Sequence, residues 1–367
     1  MQQQQRDEAD LSFLPDFSNL PILGNVAVFL ISAIAVWVTG TRMVTIVDRF
    51  ADRTGMGKGF AGMLLLGGIV SLTEISTVSS AAFTGSPVLA LNNLLGSESI
   101  NLFLLAASDP ISGRAALTSF VATPSMLLQG VLGIVLLAVT AAAIAVGDVP
   151  VLGVGLWSTT IFLLCLCALW MSARYERRKV WVALDHDDDE EAHRADAPAT
   201  GKRQSETFGG LTAKLIMAAA VIFAAGLLLS LTGDAFANQT GLGASLVGFL
   251  FVGMSTSLPE LSTIIAAIRM KRHEMAVGDI LGSNLFNLLL IFLAEVVYTG
   301  GPVLNEVGRF ELVAALLAIV MSGILLLGLL ERRDRTLLKM GYDALAMLMV
   351  FIIGVAILYG ISGQGAG

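Results

Sequence analysis

Long apolar stretches, separated by short polar segments, alternate along the whole 367-residue chain. About 20 helical residues cross the roughly 30 Å hydrocarbon core of a bilayer, and ten stretches approach or exceed that length. This pattern predicts an all-α polytopic membrane protein with ten transmembrane helices, five on each side of a charged central segment. The predicted spans are 21–41, 59–83, 88–108, 116–146, 151–173, 210–233, 243–268, 274–298, 309–330 and 337–361.

The charged segment also sets the predicted domain organisation. We expect an extracytoplasmic N-terminal segment at 1–20, a first five-helix repeat at 21–173, a cytoplasmic charged loop at 174–207 and a second five-helix repeat at 208–362. The loop contains an acidic run at 185–191. Because this run lacks the turn glycine and spaced oxygen ligands of a Ca²⁺-binding loop, we interpret it as solvated.

Composition supports the membrane assignment and narrows the partners. The chain is 55% hydrophobic and only 14% charged, whereas about 25% of the residues of a soluble domain are charged. Basic tracts with interleaved aromatic residues are absent, which argues against a nucleic-acid partner. The expected partners are therefore membrane lipid and inorganic cations.

The distribution of Lys and Arg predicts the orientation. Positive residues follow spans one, five, seven and nine, whereas the opposite loops carry almost none. By the positive-inside rule the basic loops are cytoplasmic and both termini are extracytoplasmic, in what we expect to be a prokaryotic plasma membrane. Since each half has five spans, the halves enter the membrane from opposite faces. Such inverted repeats are typical of secondary transporters that work by alternating access around a site near the midplane.

A polar motif occurs once in each half, inside predicted spans. Residues 67–74 read GGIVSLTE and residues 253–260 read GMSTSLPE, which places Glu74 and Glu260 186 residues apart. The same offset relates NNLLGSESIN at 92–101 to GDILGSNLFN at 278–287. A carboxylate inside a membrane span is energetically unfavourable, so a repeated one is a functional-site hypothesis by default.

The residue types around the two glutamates favour a hard cation. Hydroxyls, amides, backbone carbonyls and carboxylates form an oxygen-only ligand set, which suits Ca²⁺ or Na⁺ rather than zinc or copper. The three histidines, at 186, 193 and 273, lie outside the middle of any span. Two glutamates offset the charge of one divalent ion, and monovalent cations or protons can compete for them. We therefore expect transported ions and no cofactor.

Residues 253–260 and 278–287 resemble the second alpha-repeat of the cation/Ca²⁺ exchanger superfamily, and residues 67–101 resemble the first. The resemblance implies a non-enzymatic antiporter in which both motifs line the ion sites and two glycines contribute backbone carbonyls. Carried over to this chain, the implied ion-binding residues are Gly67, Ser71, Glu74, Ser97 and Asn101, together with Gly253, Thr256, Ser257, Glu260, Ser283 and Asn287. Glu74 and Glu260 are the implied Ca²⁺ carboxylates.

The first motif departs from the family pattern more than the second. The unusual residues are Val70, Thr73, Asn92 and Glu98 in the first motif, and Asp279 and Asn287 in the second. Of these, Glu98 and Asp279 are possible additional ion ligands because they add carboxylates. We expect these departures to leave the fold unchanged and to affect ion selectivity and stoichiometry.

A third pair of acidic residues shares the offset but receives another interpretation. Asp109 and Glu295 fall near the ends of their spans, so we expect them to be solvated at the membrane interface rather than part of the ion path.

Together these features predict an antiporter that exchanges Ca²⁺ for Na⁺ by alternating access. H⁺/Ca²⁺ antiport is an alternative, since a buried glutamate can also accept a proton. A cation channel or a non-transporting sensor is a more distant alternative, and Mn²⁺, Mg²⁺ and K⁺ stay open as substrates.

Overall fold

A computed structural model describes residues 17, 20–113, 116–121, 123–151, 153–176, 207–240, 247–331, 336–337 and 340–364. Most of the predicted N-terminal segment, and the central loop from 177 to 206 with its acidic run, lie outside the described residues.

Ten helices account for nearly all of the described residues. Nine of those in the described part are long and apolar enough to cross a membrane, and the tenth is a helix pair bent by 49°. The predicted fold class, an all-α polytopic membrane protein with ten spans, is therefore confirmed. The helices are α1 Ile22–Thr54, α2 Lys58–Phe83, α3 Pro87–Ser108, α4 Pro124–Val146, α5 Leu156–Glu176, α6 Phe208–Thr240, α7 at 247–269, α8 His273–Val297, α9 Arg309–Glu331 and α10 Tyr342–Gln364.

The internal repeat extends far beyond the two motifs. Helices α1 and α6 begin 186 residues apart and end 186 residues apart. The same offset relates two antiparallel hairpins, β1 Pro150–Val151 with β2 Val154–Gly155, and β3 Thr336–Leu337 with β4 Met340–Gly341. Each hairpin connects the last two helices of its half, so one complete five-helix unit occurs twice.

Helices α2, α3, α7 and α8 form the centre of the molecule. A π-helical turn in α2, Gly62–Gly67, packs against α8, and its counterpart in α7, Val247–Val252, packs against α3. Gly96 contacts the backbone of Phe249, and Gly282 contacts the backbone of Met63 in the equivalent way, so a Cβ at either glycine would overlap that backbone. This close approach explains the glycine in each Gly-Ser motif.

The remaining helices flank this centre. Helices α1 and α6 pack against each other, α1 also packs on α7 and α6 on α2. On another side, α4, α5, α9 and α10 pack around α3 and α8. The outer helices expose much of their apolar surface, whereas α2, α3 and α8 are mostly buried. The centre is therefore shielded from lipid, as a polar ion path requires.

Several predicted span boundaries were wrong. Spans five and ten begin at Leu156 and Tyr342, after the hairpins, and span six continues to Thr240. The two largest differences are in α1 and α4. Arg42, Arg49 and Arg53 were expected in a loop after residue 41, but they lie on α1, which continues to Thr54 and ends where Gly55 adopts a left-handed conformation (φ 70°). Helix α4 begins at Pro124 rather than at 116, because a separate 3-10 turn, Leu117–Phe120, precedes it. Proline at the first helical position favours this start.

Candidate functional site

Each repeat places its glutamate just after a break in a helix. In α2 the break is at Ser71 (ψ 0°), and Leu72–Phe83 follows. In α7 it is at Ser257 (ψ 6°), and Leu258–Arg269 follows. Glu74 and Glu260 therefore lie in the first turn of a 12-residue helical segment, where the helix dipole stabilises negative charge.

Proline is not required for this break. Pro259 follows the break in α7, which is bent by 49° there. Thr73 occupies the equivalent position in α2, and the helix Lys58–Phe83 crosses as a single span in spite of its break. The threonine at position 73, where the second repeat has proline, therefore preserves the position of the glutamate and leaves the helix less sharply bent.

The polar groups around the glutamates are buried and largely lack protein partners. Glu74 and Glu260 have no exposed surface, and a buried polar atom without a hydrogen bond is rare and energetically unfavourable. Seven of the eleven predicted ion-binding residues have such atoms. They are Ser71 Oγ, Glu74 Oε1, Asn101 Oδ1, Ser257 Oγ, both Glu260 carboxylate oxygens, Ser283 Oγ, and both polar side-chain atoms of Asn287.

The other four predicted residues are engaged but border the same region. The hydroxyls of Ser97 and Thr256 lie 3.3 Å apart, which joins the two halves. The carbonyls of Gly67 and Gly253 accept backbone hydrogen bonds of 3.1 and 3.0 Å from the residues four positions later. A carbonyl oxygen has two lone pairs, and that of Gly253 also lies 3.1 Å from the Thr256 hydroxyl.

The two glutamates differ in their immediate partners. The Thr73 hydroxyl donates to Glu74 Oε2 at 2.7 Å. The equivalent residue beside Glu260 is Pro259, which has no donor, and both oxygens of Glu260 are unpartnered. The departure at position 73 therefore gives the first glutamate a hydrogen bond that the second lacks.

Two asparagines that were not among the predicted site residues connect the halves. Asn93 Oδ1 accepts a hydrogen bond from the Thr256 hydroxyl at 3.1 Å. Asn284 accepts from Asn101 Nδ2 at 3.0 Å and donates to the Glu98 carbonyl at 3.1 Å. Both asparagines lie within the repeated motifs, so the repeat itself was the signal that could have identified them.

Two other departures in the first motif have different surroundings. Glu98 is buried beside the centre, and its Oε1 has no partner. Asn92 instead faces α9, where its Nδ2 donates to Glu311 Oε1 at 2.7 Å. Glu98 therefore stays a candidate ligand, whereas Asn92 belongs to the packing between α3 and α9.

The expected solvation of Asp109 and Glu295 was wrong. Both are buried, and each accepts two backbone hydrogen bonds. Asp109 binds the N–H groups of Leu117 (2.6 Å) and Gly341 (2.7 Å). Glu295 binds those of Val303 (2.9 Å) and Gly155 (2.7 Å). Since Gly341 is in the hairpin of the second half and Gly155 in that of the first, each acidic residue holds the hairpin of the opposite half.

The site is acidic and lacks a positively charged protein partner. Among the described residues, neither Glu74 nor Glu260 forms an ion pair, and no three acidic, His or Cys residues converge as a metal-ligand group. A cation bound here would therefore be held by carboxylates together with hydroxyl, amide and carbonyl oxygens. That ligand set fits Ca²⁺ or Na⁺.

An inverted pair of five-helix units, with broken helices and buried acidic groups at their interface, defines a membrane-embedded secondary transporter. The model of the family described as sodium/calcium exchanger protein matches residues 24–184 and 210–360. The chain belongs to this family, whose members are cation/Ca²⁺ exchangers of the membrane.

Named relatives and solved structures agree with this assignment. The chain is 26% identical to the inner membrane protein YrbG of Escherichia coli over 76% of this chain and 81% of YrbG. It is 25% identical to the putative antiporter CaxA of Alkalimonas amylolytica, over 88% of this chain and 97% of CaxA. The sodium-calcium exchanger NCX_Mj has the same fold, with a TM-score of 0.65 at 16% identity over 92% of this chain and 99% of that structure.

Proposed function

We propose that the protein exchanges Ca²⁺ for Na⁺ across the membrane by alternating access, with both ions bound between the two halves. The observation that supports this most directly is the cluster of buried, unpartnered oxygens, to which both halves contribute equivalent residues. The ion-binding residues of this proposal are the eleven named above, with Glu74 and Glu260 as the charged Ca²⁺ ligands.

Competition between ions follows from the charge of this cluster. Two ionised glutamates balance one Ca²⁺ or two Na⁺, so either kind of cation relieves their mutual repulsion. A ligand shifts a conformational equilibrium only through its different affinity for the two states. Exchange therefore requires that the protein change between its two orientations less readily when the site is empty than when it holds Ca²⁺ or Na⁺.

The helix arrangement supports a movement of α1 and α6 across the central four helices. These two helices pack together and contact the centre mainly through α2 and α7, which carry the glutamates. We place the protein in a prokaryotic plasma membrane, with both termini extracytoplasmic, from the Lys and Arg distribution. Sodium coupling also accords with a relative named sodium/calcium exchanger MaX1, from Methanosarcina acetivorans, which is 27% identical over 32% of this chain and 34% of MaX1.

Proteoliposomes containing the purified protein test the coupling ion. We expect an outward Na⁺ gradient to drive uptake of radioactive Ca²⁺ at constant pH, and a pH gradient without Na⁺ to drive little. Uptake driven by the pH gradient alone would instead establish H⁺/Ca²⁺ antiport. Passive Ca²⁺ flux with single-channel steps in a planar bilayer would exclude an antiporter of either kind.

Charge-removing variants test the site in the same assay. Glu74→Gln and Glu260→Gln should each reduce Na⁺-driven Ca²⁺ uptake by more than about tenfold, because each removes one of the two charges that balance the divalent ion. Glu306→Gln, at an exposed glutamate outside the site, is the matched control and should retain uptake. Normal uptake by both site variants would contradict the proposal.

A further inference from the structure

The repeat makes one pair of positions at the centre chemically unequal. Asn93 in α3 and Asp279 in α8 are equivalent, and so are Val70 in α2 and Thr256 in α7. In one pair the Thr256 hydroxyl lies 3.1 Å from Asn93 Oδ1 and also 3.1 Å from the Gly253 carbonyl oxygen. In the other pair Val70 has no hydroxyl to donate, and the amide is replaced by a carboxylate.

Asp279 hydrogen-bonds elsewhere as a result. It accepts a hydrogen bond from the hydroxyl of Thr263, which lies on α7 one turn after Glu260. The same hydroxyl lies 2.9 Å from the Glu260 carbonyl oxygen. A hydroxyl has one hydrogen, so it cannot satisfy both acceptors at once. The Asp279 carboxylate is thus attached to the turn that carries Glu260 and is incompletely satisfied there.

The other carboxylate oxygens of Asp279 and Glu260 have no hydrogen-bond partner. Asp279 is fully buried, and its Oδ1 and both oxygens of Glu260 make no hydrogen bond. Within the described part of the chain neither carboxylate pairs with Lys, Arg or His. A buried charge in this situation requires a cation or is strongly unfavourable.

We propose that Asp279 is a further cation-coordinating carboxylate that binds Ca²⁺ or Na⁺ together with Glu260. The equivalent position in the other half is Asn93, which is neutral and lies beside the Thr256 hydroxyl. The inference rests on the proposed function and adds a third negative charge to the ion-binding residues, so that the two halves differ in their preference for divalent over monovalent ions.

Coulomb's law predicts how a cation-coordinating Asp279 would differ from a purely structural one in its effect on Ca²⁺ and Na⁺ binding. At one distance and dielectric, a carboxylate attracts a divalent ion with twice the energy with which it attracts a monovalent ion. If Asp279→Asn raises the Na⁺ concentration for half-maximal binding by some factor, the Ca²⁺ concentration should therefore rise by about the square of that factor. A residue that only maintains the fold would change both concentrations alike.

Ion-dependent thermal stabilisation of the purified full-length protein measures both concentrations. We expect Asp279→Asn to raise the half-maximal Ca²⁺ concentration by about tenfold or more, and the half-maximal Na⁺ concentration by about threefold, its square root. The double variant Val70→Thr/Asp279→Asn recreates the neutral Thr–Asn pair of the other half. It should keep an ion-free melting temperature at least equal to that of the wild type, because it removes an unpaired buried charge, and it should keep the weakened Ca²⁺ preference.

The outcomes separate this inference from the proposed function. If Glu260→Gln weakens Ca²⁺ binding and Asp279→Asn changes neither concentration, Asp279 is not a ligand and the exchanger proposal stands. Equal changes for the two ions, or full recovery of Ca²⁺ preference in the double variant, would assign Asp279 a packing role and overturn the inference. If neither Ca²⁺ nor Na⁺ stabilises the wild-type protein, the exchanger proposal itself fails.

Discussion

At the scale of single residues, the two glutamates of the repeat are not equivalent. The Thr73 hydroxyl donates to Glu74 Oε2 and lies 3.1 Å from the Thr256 carbonyl oxygen across the interface between the halves. Pro259 offers Glu260 no such bond. A cation that binds Glu74 therefore meets one free oxygen, Oε1, and competes with an internal hydrogen bond at Oε2, whereas one that binds Glu260 meets two free oxygens.

This competition predicts the effect of Thr73→Val. Losing a hydrogen bond to a charged group removes about 1.5–3 kcal/mol, and the loss falls mainly on the ion-free protein because a bound cation can satisfy the same oxygen. We expect a lower melting temperature without ions and a larger rise on adding Ca²⁺ than in wild type. Thr73→Ser keeps the hydroxyl and should behave like wild type. An unchanged Ca²⁺-dependent rise in Thr73→Val would show that the bond does not compete with the ion.

At the scale of secondary-structure elements, each half holds the hairpin of the other. Asp109, at the end of α3, binds the β3–β4 hairpin, and Glu295, near the end of α8, binds the β1–β2 hairpin. Both acidic residues also accept a hydrogen bond from the connection that follows their own helix. These four bonds fix the ends of the central helices that carry the Gly-Ser motifs.

Stability measurements on Glu295→Gln test this connection. The carboxylate accepts from Gly155 N, Val303 N and the Ser158 hydroxyl, and a glutamine amide would place an N–H against one of these donors. We expect a loss of about 1–3 kcal/mol in stability, seen as a lower melting temperature in detergent. The exposed Glu306→Gln should shift stability by less than about 0.5 kcal/mol. Similar melting temperatures for both variants would argue against a structural role for Glu295.

At the scale of the whole molecule, the inverted symmetry is broken at one membrane face. Asp48 on α1 forms ion pairs of 2.8 Å with Lys58 at the start of α2 and with Arg272 just before α8. The counterparts of these two basic residues, 186 positions away, are Ala244 and Ser86. The basic partners that join α1 to the central helices therefore have no equivalent in the other copy of the repeat.

Removing this ion-pair cluster should loosen one face selectively. We expect Asp48→Asn to increase hydrogen exchange in peptides that cover 48–58 and 269–275 by five- to thirtyfold, which corresponds to about 1–2 kcal/mol. Peptides around 84–88 should be unaffected. Asp52→Asn is the control, because the Asp52 side chain is 60% exposed and surface ion pairs contribute little. Equal exchange in both variants would show that Asp48 does not hold α1 to the centre.

The sequence alone determined the number of spans, their division into two inverted halves, the two repeated glutamates and the preference for a hard cation. These features depend on hydrophobic length, charge distribution and residue type, which are local properties of the chain. Helix ends were less accurate, as α1 shows, because an amphipathic continuation beyond the apolar stretch carries no hydropathy signal.

Only the tertiary structure decided which polar groups lack a partner and which belong to packing. Asn92 and Asn93 are adjacent in sequence, yet one faces Glu311 on α9 and the other the Thr256 hydroxyl on α7. The crossed hairpin contacts of Asp109 and Glu295 likewise join segments far apart in the chain. Such contacts depend on how helices from the two halves pack together, which no local pattern of residues specifies.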